Sequence, residues 1–372
     1  MEEKLFTPLR EVSLPASGVD LGRAVRDGRR TVRRRRVAAT VAAGIAAVTV
    51  LAAVPTLVDH AAGRGRADPA GPAVGSSPPP VSVAPMPDRA PAAFDPARQY
   101  ADFGWLPDGL TDRSVLAGVD GLTVQAATPT SPTAKAAGTV ADLRIVTAGH
   151  DIALDMARDY AVASGTAGPV GLEPAEPLNG RTARWNTAVA PVPDAAALRW
   201  EYAPSAWAEV AVQSVPPGTD PRALARRIAL DVRYAVDRPV RLPVRFERLP
   251  AGLRPMLHRV GMSADGSWNV ELSYGAGKRT KYGDWPLVVL VVPRRSTSGD
   301  NGVIGDPDST IDGHPARRRS SLDGGASLQV YGVQGLYVEL AAHDKATLRA
   351  LGGNLDGLFR SATLHPRVED WR

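Results

Sequence analysis

The residues of this chain that could do chemistry are few and widely separated. Six histidines occur singly, and none has the H-x-x-x-H or H-E-x-x-H spacing that holds zinc. The absence of cysteine excludes disulfides, thiolate metal sites and cysteine nucleophiles. Neither a G-x-S-x-G nucleophile elbow nor a Walker phosphate loop occurs. The sequence therefore predicts a protein that is not an enzyme and that needs no cofactor.

One acidic loop has the oxygen ligands that calcium prefers. Within residues 300–312, acidic and hydroxyl side chains alternate from Asp306 to Asp312. An EF-hand loop would require Gly and Glu at its sixth and twelfth positions, where this chain has Ile311 and Arg317. These departures favour an ordinary polar loop that ends in a hairpin turn, with a calcium site as the alternative.

Aromatic side chains are the remaining candidates for ligand contact, because they offer a flat apolar surface with a polar edge. Trp200 and Trp207 occupy positions where a related motif later in the chain has Val330 and Tyr337. Exchange among apolar residues is typical of a core. Three other tryptophans are less constrained, and we treat them as candidate ligand-facing residues: Trp105, Trp268 and Trp285.

A charged-to-apolar junction near the N-terminus is the main signal of location. Residues 37–58 carry no charge, and at ~1.5 Å per residue they would span roughly 33 Å, against a bilayer core of about 30 Å. This predicts a single transmembrane helix, with a longer-than-usual cleaved signal peptide as the weaker alternative. Four arginines precede the helix directly and act as topology determinants: Arg33, Arg34, Arg35 and Arg36.

The charge distribution predicts the orientation of that helix. Residues 1–36 hold ten Lys or Arg against five acids, a net charge of +5, so the rest of the chain is neutral. The positive-inside rule then places this tail in the cytoplasm and the C-terminal bulk outside a bacterial plasma membrane. The basic tail suits anionic lipids, or serves only to set topology, and the neutral folded part is not expected to bind nucleic acid.

The remaining chain divides into a linker and two related units. Residues 59–97 are rich in Pro, Ala and Gly and predict a disordered spacer. The motif F-x-x-L-P-x-G-L at Phe103 returns at Phe246, and four further landmarks follow each copy in the same order. We therefore predict tandem units at 98–238 and 239–366.

Each unit is predicted to be α+β, an antiparallel sheet packed with one C-terminal helix. Asn179-Gly180 and Asp312-Gly313 indicate hairpins. Asp220 and Asp344 are the predicted helix N-caps. The second helix is expected to carry an apolar stripe of leucines: Leu348, Leu351, Leu355 and Leu358.

This order of parts resembles a domain of unknown function that follows the membrane helix in bacterial anti-sigma-factor-like and sporulation-associated membrane proteins. The resemblance covers residues 100–236 and 243–365 through a Leu-Pro-x-Gly turn, an N-G-x-x-A element, a Trp-containing hairpin and a closing helix. Zinc-type anti-sigma factors carry a cytoplasmic His/Cys helical domain, whereas residues 1–36 contain neither residue type. Any regulation that the resemblance implies would therefore use a different mechanism.

Two functions follow as expectations. The first is a membrane-anchored, extracytoplasmic binding or sensor-type protein of the bacterial cell envelope, with an envelope ligand or protein as its partner. The second is a transmembrane regulator whose tail engages a sigma factor or another transcription partner.

Overall fold

The structure is a computed structural model that describes residues 85–129, 138–150, 171–187, 193–276, 285–293, 306–321 and 323–372. These residues are mostly β-strand, and fourteen of their strands form one antiparallel sheet. The predicted α+β fold, with two separate sheets each packed with one helix, is therefore wrong. The cause is edge pairing: the first sheet strand of each half pairs with the other, so the two halves share one sheet.

The first half of the described chain contributes nine strands and one helix. The strands are β1 (Arg98–Phe103), β2 (Asp112–Gly118), β3 (Gly121–Ala127), β4 (Val140–Val146), β5 (Leu172–Leu178), β6 (Arg181–Asn186), β7 (Ala196–Ala203), β8 (Ala206–Gln213) and β9 (Val232–Pro239). The helix α1 (Pro221–Leu230) lies between β8 and β9.

The second half repeats this order of elements. Its strands are β10 (Val244–Phe246), β11 (Arg254–Met262), β12 (Trp268–Gly275), β13 (Leu287–Pro293), β14 (Ser309–Ile311), β15 (His314–Ser320), β16 (Ala326–Val333), β17 (Leu336–Ala342) and β18 (Ala362–Leu364). Two short helices, α2 (Lys345–Ala350) and α3 (Asp356–Arg360), lie between β17 and β18, and a 3-10 turn (Val368–Asp370) follows.

The strand order of the large sheet reads β14-β15-β16-β17-β13-β12-β11-β2-β3-β4-β8-β7-β6-β5. The two halves of the sheet follow the same order outward from the central β2–β11 pair. The strands β2, β3, β4, β8, β7, β6 and β5 of the first half correspond to β11, β12, β13, β17, β16, β15 and β14 of the second. β1 pairs with β9, and β10 pairs with β18, as separate two-stranded ladders. One sheet takes strands from both predicted units. The unit boundaries 98–238 and 239–366 stay a prediction.

One face of the sheet carries both main hydrophobic cores. The first core contains Leu143, Leu198 and Trp200, and the second contains Leu272 and Val289. His258 on β11 pairs directly with Ala117 on β2, so the two cores meet on the same face. α1 packs on this face through Ala225, Ile228 and Ala229, while α2 and α3 place their leucines in the second core. We call this side the core face.

The predicted helix starts are confirmed, but the second helix is shorter than predicted. Asp220 accepts a hydrogen bond from the amide of Arg222 at 2.9 Å, and Asp344 accepts one from the amide of Thr347 at 2.7 Å. The expected continuous stripe is broken because Gly352 and Gly353 have φ of 81° and 83°. In that conformation their amides bond to Arg349 and Leu348 carbonyls at 2.9 Å, which ends α2.

The hairpin predictions are confirmed. Asn179 and Gly180 have φ of 51° and 77°, and Asp312 and Gly313 have φ of 48° and 81°. Each pair forms the turn of a hairpin, between β5 and β6 or between β14 and β15.

The single-pass plasma-membrane topology expected from the sequence is not supported. Among the described residues, no helix is both long and apolar enough to span a bilayer. The predicted tail 1–36 with its four arginines, the predicted span 37–58 and the linker up to residue 84 lie outside the described residues.

The last residues of the predicted linker pack on the sheet. Phe94 is buried, its amide donates to the Val119 carbonyl at 3.2 Å, and its ring meets Tyr100 edge-on at 4.9 Å. Met86 and Ala90 also pack against the first core.

Candidate ligand-binding face of the sheet

The face of the sheet opposite the two cores carries a continuous row of mainly polar side chains. Directly paired residues of an antiparallel sheet point to the same side, so the strand register defines the row. It crosses twelve strands and consists of Arg184, Arg199, Glu209, Arg144, Thr123, Leu116, Arg259, Glu271, Leu290, Glu339, Gln329 and Arg317. We call this row the polar band. The described helices all pack on the core face, so none of them covers it.

Glu209 is the most deeply buried charged group of the polar band. It is 1% exposed, and its Oε2 accepts a hydrogen bond of 3.4 Å from Asn186 Nδ2. Its Oε1 accepts no hydrogen bond from the described part of the chain. Arg199 on β7 and Arg144 on β4 are its direct neighbours on either side. A buried carboxyl thus lies in register between two arginines whose charges act on it, and one of its oxygens is buried without a hydrogen bond from the described residues.

Burial controls the ionisation of this carboxyl. Removal from water raises the pKa of Glu209 from its ordinary 4.5 to about 7, because the charged form loses its hydration. Arg144, the Asn186 hydrogen bond and Arg199 act in the opposite direction, and Asp142 adds a smaller upward shift. Glu209 therefore changes its charge near neutral pH, while the arginines around it stay positive.

Arg199 is held in place by an aromatic ring. Its guanidinium lies 4.3 Å from the centroid of the Trp207 ring, a cation–π distance, and the residue is only 6% exposed. Trp207 in turn packs with Val146, Ala197 and Ala211, which form a small apolar cluster beside the band. The position of this cation is therefore fixed by packing.

The second half of the polar band has a different hydrogen-bonding pattern. Glu339, in the strand position equivalent to Glu209, accepts hydrogen bonds from Gln329 Nε2 at 3.2 Å and from the Tyr337 hydroxyl at 2.8 Å. The Tyr331 hydroxyl donates to Gln329 Oε1 at 3.2 Å. Neutral groups therefore donate the hydrogen bonds to the Glu339 carboxylate, whereas the residues paired with Glu209 are arginines.

Near the middle of the band, an ion pair lies within the second half. Arg259 on β11 lies 3.4 Å from Glu271 on β12, and their side chains are 13% and 30% exposed. Beyond β11, Leu116 on β2 is the direct partner of Arg259.

The charges of the two ends of the band differ. The part on β6, β7, β8 and β4 holds three arginines and one glutamate, whereas the part on β11, β12, β13, β17, β16 and β15 holds two arginines and two glutamates.

The three tryptophans predicted as ligand-facing lie in three different places. Trp268 is 7% exposed and packs edge-on against Trp371 at 4.8 Å in the second core. Trp285 is 8% exposed and packs with Met256 and Leu257. Trp105 is half-buried at the rim of the first core, with the Arg227 guanidinium 5.0 Å from its ring centroid.

The acidic loop is described only from residue 306 onward. Asp308 Oδ1 accepts a hydrogen bond of 3.0 Å from the Ser309 hydroxyl, and Asp312 lies 3.1 Å from Arg360 Nε. Within the described ranges, no group of three or more His, Cys, Asp or Glu side chains could hold a metal ion. The remaining residues of this loop, 300–305, lie outside those ranges.

Sequence reasoning missed the polar band, although one signal was present. Glu209 and Glu339 lie at matching positions in Ala208-Glu-Val210 and Val338-Glu-Leu340, each inside an otherwise apolar strand. A charged residue repeated at the centre of two buried strands points to a functional face. Its neighbours Arg144 and Arg199 could not be assigned, since their pairing depends on strand order across the sheet.

The comparisons with known proteins show only a weak likeness to solved structures. No protein-family model matches the chain, and no curated protein matches it either. A chain from the Pseudomonas aeruginosa MucA/MucB complex resembles the structure with a TM-score of 0.20 and 10% identity, over 69% of this chain and 94% of that one. A likeness at this TM-score carries no argument about the fold, family or partners of this chain.

Proposed function

We propose that the described part of the chain is a non-enzymatic binding module that takes its ligand or protein partner on the polar band. The observation that carries the proposal is the band itself, because twelve strands place mainly polar side chains in one line on a sheet face. A structural role alone would not require charged groups there. Charged residues inside a sheet are costly unless they are paired, and they are typical of binding sites.

The shape of the surroundings supports a ligand that is partly apolar. Three small apolar clusters lie on the same face as the band, around Trp207, Leu257 and Tyr337. Convergent polar groups with apolar walls are the usual composition of a binding site. The side chains near the centre of the band, Leu116 and Thr123, are half-buried and could contact such a ligand.

A photo-crosslinking amino acid placed at Leu116 tests the proposal in the full chain, expressed in its native host. We expect a covalent adduct of one defined mass at this position. The matched control is the same amino acid at Asp108, which is exposed in the turn before β2. Equal adducts at both positions, or none at Leu116, would contradict the proposal.

The sequence resemblance supports a second candidate function, a regulator of transcription. In this proposal residues 1–36 engage a sigma factor or a similar partner, and the binding module controls that contact. The test is to replace residues 1–36 by an unrelated tail of equal charge and then identify the co-purifying proteins. Loss of a transcription factor upon replacement would support the regulator, and an unchanged set of partners would exclude it.

A further inference from the structure

We infer that an open groove at the β5 edge of the sheet binds a neutral sugar ring. The groove has a volume of about 340 Å³ and lies between β5, β6 and the first two turns of α1. We call it the edge groove. The residues that line it include Pro174, Glu176, Trp185, Arg222, Ala223 and Arg226. The site is separate from the polar band, so the inference goes beyond the proposed function.

The strand register places the edge groove on the core face. Trp185 on β6 is the direct partner of the core residue Leu198 on β7, whereas the preceding residue, Arg184, belongs to the polar band. Trp185 is half-buried and packs against the first core, and it also lines the groove. One edge of the indole is thus anchored in the core while another part borders an open cavity.

The second half shows that the fold does not require a tryptophan at this position. Arg318 on β15 is the direct partner of Leu328, as Trp185 is of Leu198, so the two positions are equivalent. Arg318 Nη2 lies 2.8 Å from Asp356 Oδ2 on α3, so an ion pair with a helix takes the place of the indole. Trp185 therefore belongs to the first half alone, and contact with a ligand is a reason for its presence.

Two ion pairs form the rim of the groove, and their charges cancel. Arg222 Nη2 lies 3.1 Å from Glu173 Oε2, and Arg226 Nη2 lies 3.1 Å from Glu176 Oε2. Arg226 also donates to the carbonyls of Glu176 and Pro177, at 3.0 and 3.2 Å. All four charged groups thus have partners, and the rim presents no net charge to attract an ion.

Solvent reaches the polar groups of the rim. The side chain of Glu176 is 83% exposed and that of Arg222 is 51% exposed. A carboxylate has about four acceptor sites and a guanidinium about five donors, so an ion pair retains capacity for hydroxyl groups. The Arg222 guanidinium lies 5.1 Å from the centroid of the Trp185 ring, which places hydrogen-bond donors beside the aromatic surface.

This combination of groups matches a neutral sugar. The C–H face of a pyranose ring is apolar and stacks on an aromatic surface, while its hydroxyl groups both donate and accept hydrogen bonds. Trp185, Pro174 and Ala223 provide the apolar surface, and the paired charges provide donors and acceptors. The volume is near the lower limit of about 300 Å³ for ligand pockets, which suits a ligand of this size.

The backbone of β5 argues against an extended peptide as the occupant. A peptide that adds a strand to a sheet needs a row of free amide and carbonyl groups along the edge. Pro174 and Pro177 have no amide hydrogen, and Arg226 bonds to the carbonyls of Glu176 and Pro177. This edge is therefore protected from strand addition, and the groove beside it suits a small ligand.

The experiment is a saturation-transfer NMR titration of the full chain with methyl β-glucoside and, separately, with N-acetylglucosamine. Methyl β-glucuronide is the charged counterpart of the first probe, and glycerol is the control for hydroxyl groups without a ring. We expect saturable binding of at least one neutral sugar, no tighter binding of the glucuronide than of the glucoside, and no saturation with glycerol.

Variants assign the binding to the edge groove. Trp185→Leu should weaken it by about tenfold because the stacking surface is lost, whereas Trp185→Tyr keeps an aromatic ring and should remain within about threefold of the wild type. Glu176→Gln, an exposed change, should weaken it by about tenfold because a neutral acceptor replaces a charged one. Two controls should bind as the wild type does. Trp105→Leu removes another half-buried tryptophan that stacks on an α1 arginine, and Glu247→Gln alters an exposed glutamate outside the large sheet.

Three results would overturn the inference. They are the absence of saturable binding of either neutral sugar, unchanged binding in Trp185→Leu, and tighter binding of the glucuronide than of the glucoside. If Trp185→Leu does not fold, unchanged binding in Glu176→Gln takes its place. The adduct at Leu116 depends on the opposite face of the sheet, so failure of the edge groove and failure of the proposed function are distinguishable.

Discussion

Glu209 is an ionisable group enclosed in a sheet, so its proton should contribute to the stability of the fold. The folded protein retains this proton up to a pKa of about 7, whereas the unfolded chain releases it near 4.5. Stability from the protonated group is therefore present below pH 4.5 and is lost as the pH rises through 7. Relative to Glu209→Gln, the wild type should lose about 3 kcal/mol of unfolding free energy between pH 4.5 and pH 8.

Urea unfolding of both proteins at several pH values measures that difference. Glu339→Gln is the comparison in the second half, and it should lower the unfolding free energy by about 1–2 kcal/mol, because Gln329 and Tyr337 lose a charged acceptor. A difference between wild type and Glu209→Gln that stays constant from pH 4.5 to pH 8 would contradict the assignment of the titrating group.

His258 should give a pH dependence of the opposite sign. It lies on the core face where the two halves meet, 3% exposed, and burial lowers its pKa to about 4 against the opposing effects of Asp95 and the Pro96 backbone. The unfolded chain takes up this proton near pH 6.5 and the folded protein does so only near pH 4. Stability should therefore fall by about 3 kcal/mol as the pH drops between these values.

The variant His258→Phe tests this directly, because it keeps an aromatic side chain in the core and removes the titration. Between pH 6.5 and pH 4 its unfolding free energy should fall less steeply than that of the wild type. An identical slope in the two proteins would show that another group is responsible.

At the scale of elements, the hairpin between β5 and β6 depends on its turn glycine. Gly180 has φ of 77°, and a Cβ at this position would meet nothing within 4 Å. Gly180→Ala should therefore cost about 1–2 kcal/mol through backbone strain alone. Gly357, in helix α3, has equally open surroundings and no positive φ. Gly357→Ala should instead stabilise by up to about 1 kcal/mol, and chemical unfolding of the two variants measures both signs.

The same turns show what could be predicted from the sequence. Asn179-Gly180, Asp312-Gly313 and the cap residues Asp220 and Asp344 act over a few residues, so their local chemistry determines the outcome. The run of apolar residues in β13 is typical of a strand buried on both faces, and β13 lies between β12 and β17. The leucines after Asp344 were read as one helix because periodicity alone does not register the effect of Gly352 and Gly353.

The polar band lay beyond sequence reasoning for a different reason. Its twelve residues come from strands that are distant in the chain, and they align only once the order of all the strands is known. Arg144 and Glu209 are 65 positions apart, yet they are direct partners between β4 and β8. A sequence pattern reports which face of a strand is buried, but not which strand lies beside it.

At the scale of the whole molecule, the pairing of β2 with β11 makes the two halves depend on each other. Six residue pairs join these strands, from Leu257–Gly118 to Met262–Arg113. An apolar cluster also crosses the junction, in which Leu116 and Val119 of the first half pack with Met256, Leu257 and Trp285 of the second. Separating the halves would expose a sheet edge and this cluster on each of them.

We therefore expect residues 85–241 and 242–372, produced as separate chains, to associate when mixed. Each half alone should self-associate through its free β2 or β11 edge, since the pseudo-symmetric arrangement lets a like strand pair in the same antiparallel sense. Sedimentation velocity of each half and of the mixture measures this. Val115→Pro in β2 should abolish self-association of the first half and its association with the second, because proline removes a ladder hydrogen bond. Two halves that stay monomeric and unfold independently, each as stably as in the full chain, would show that the continuous sheet is not needed to hold them together.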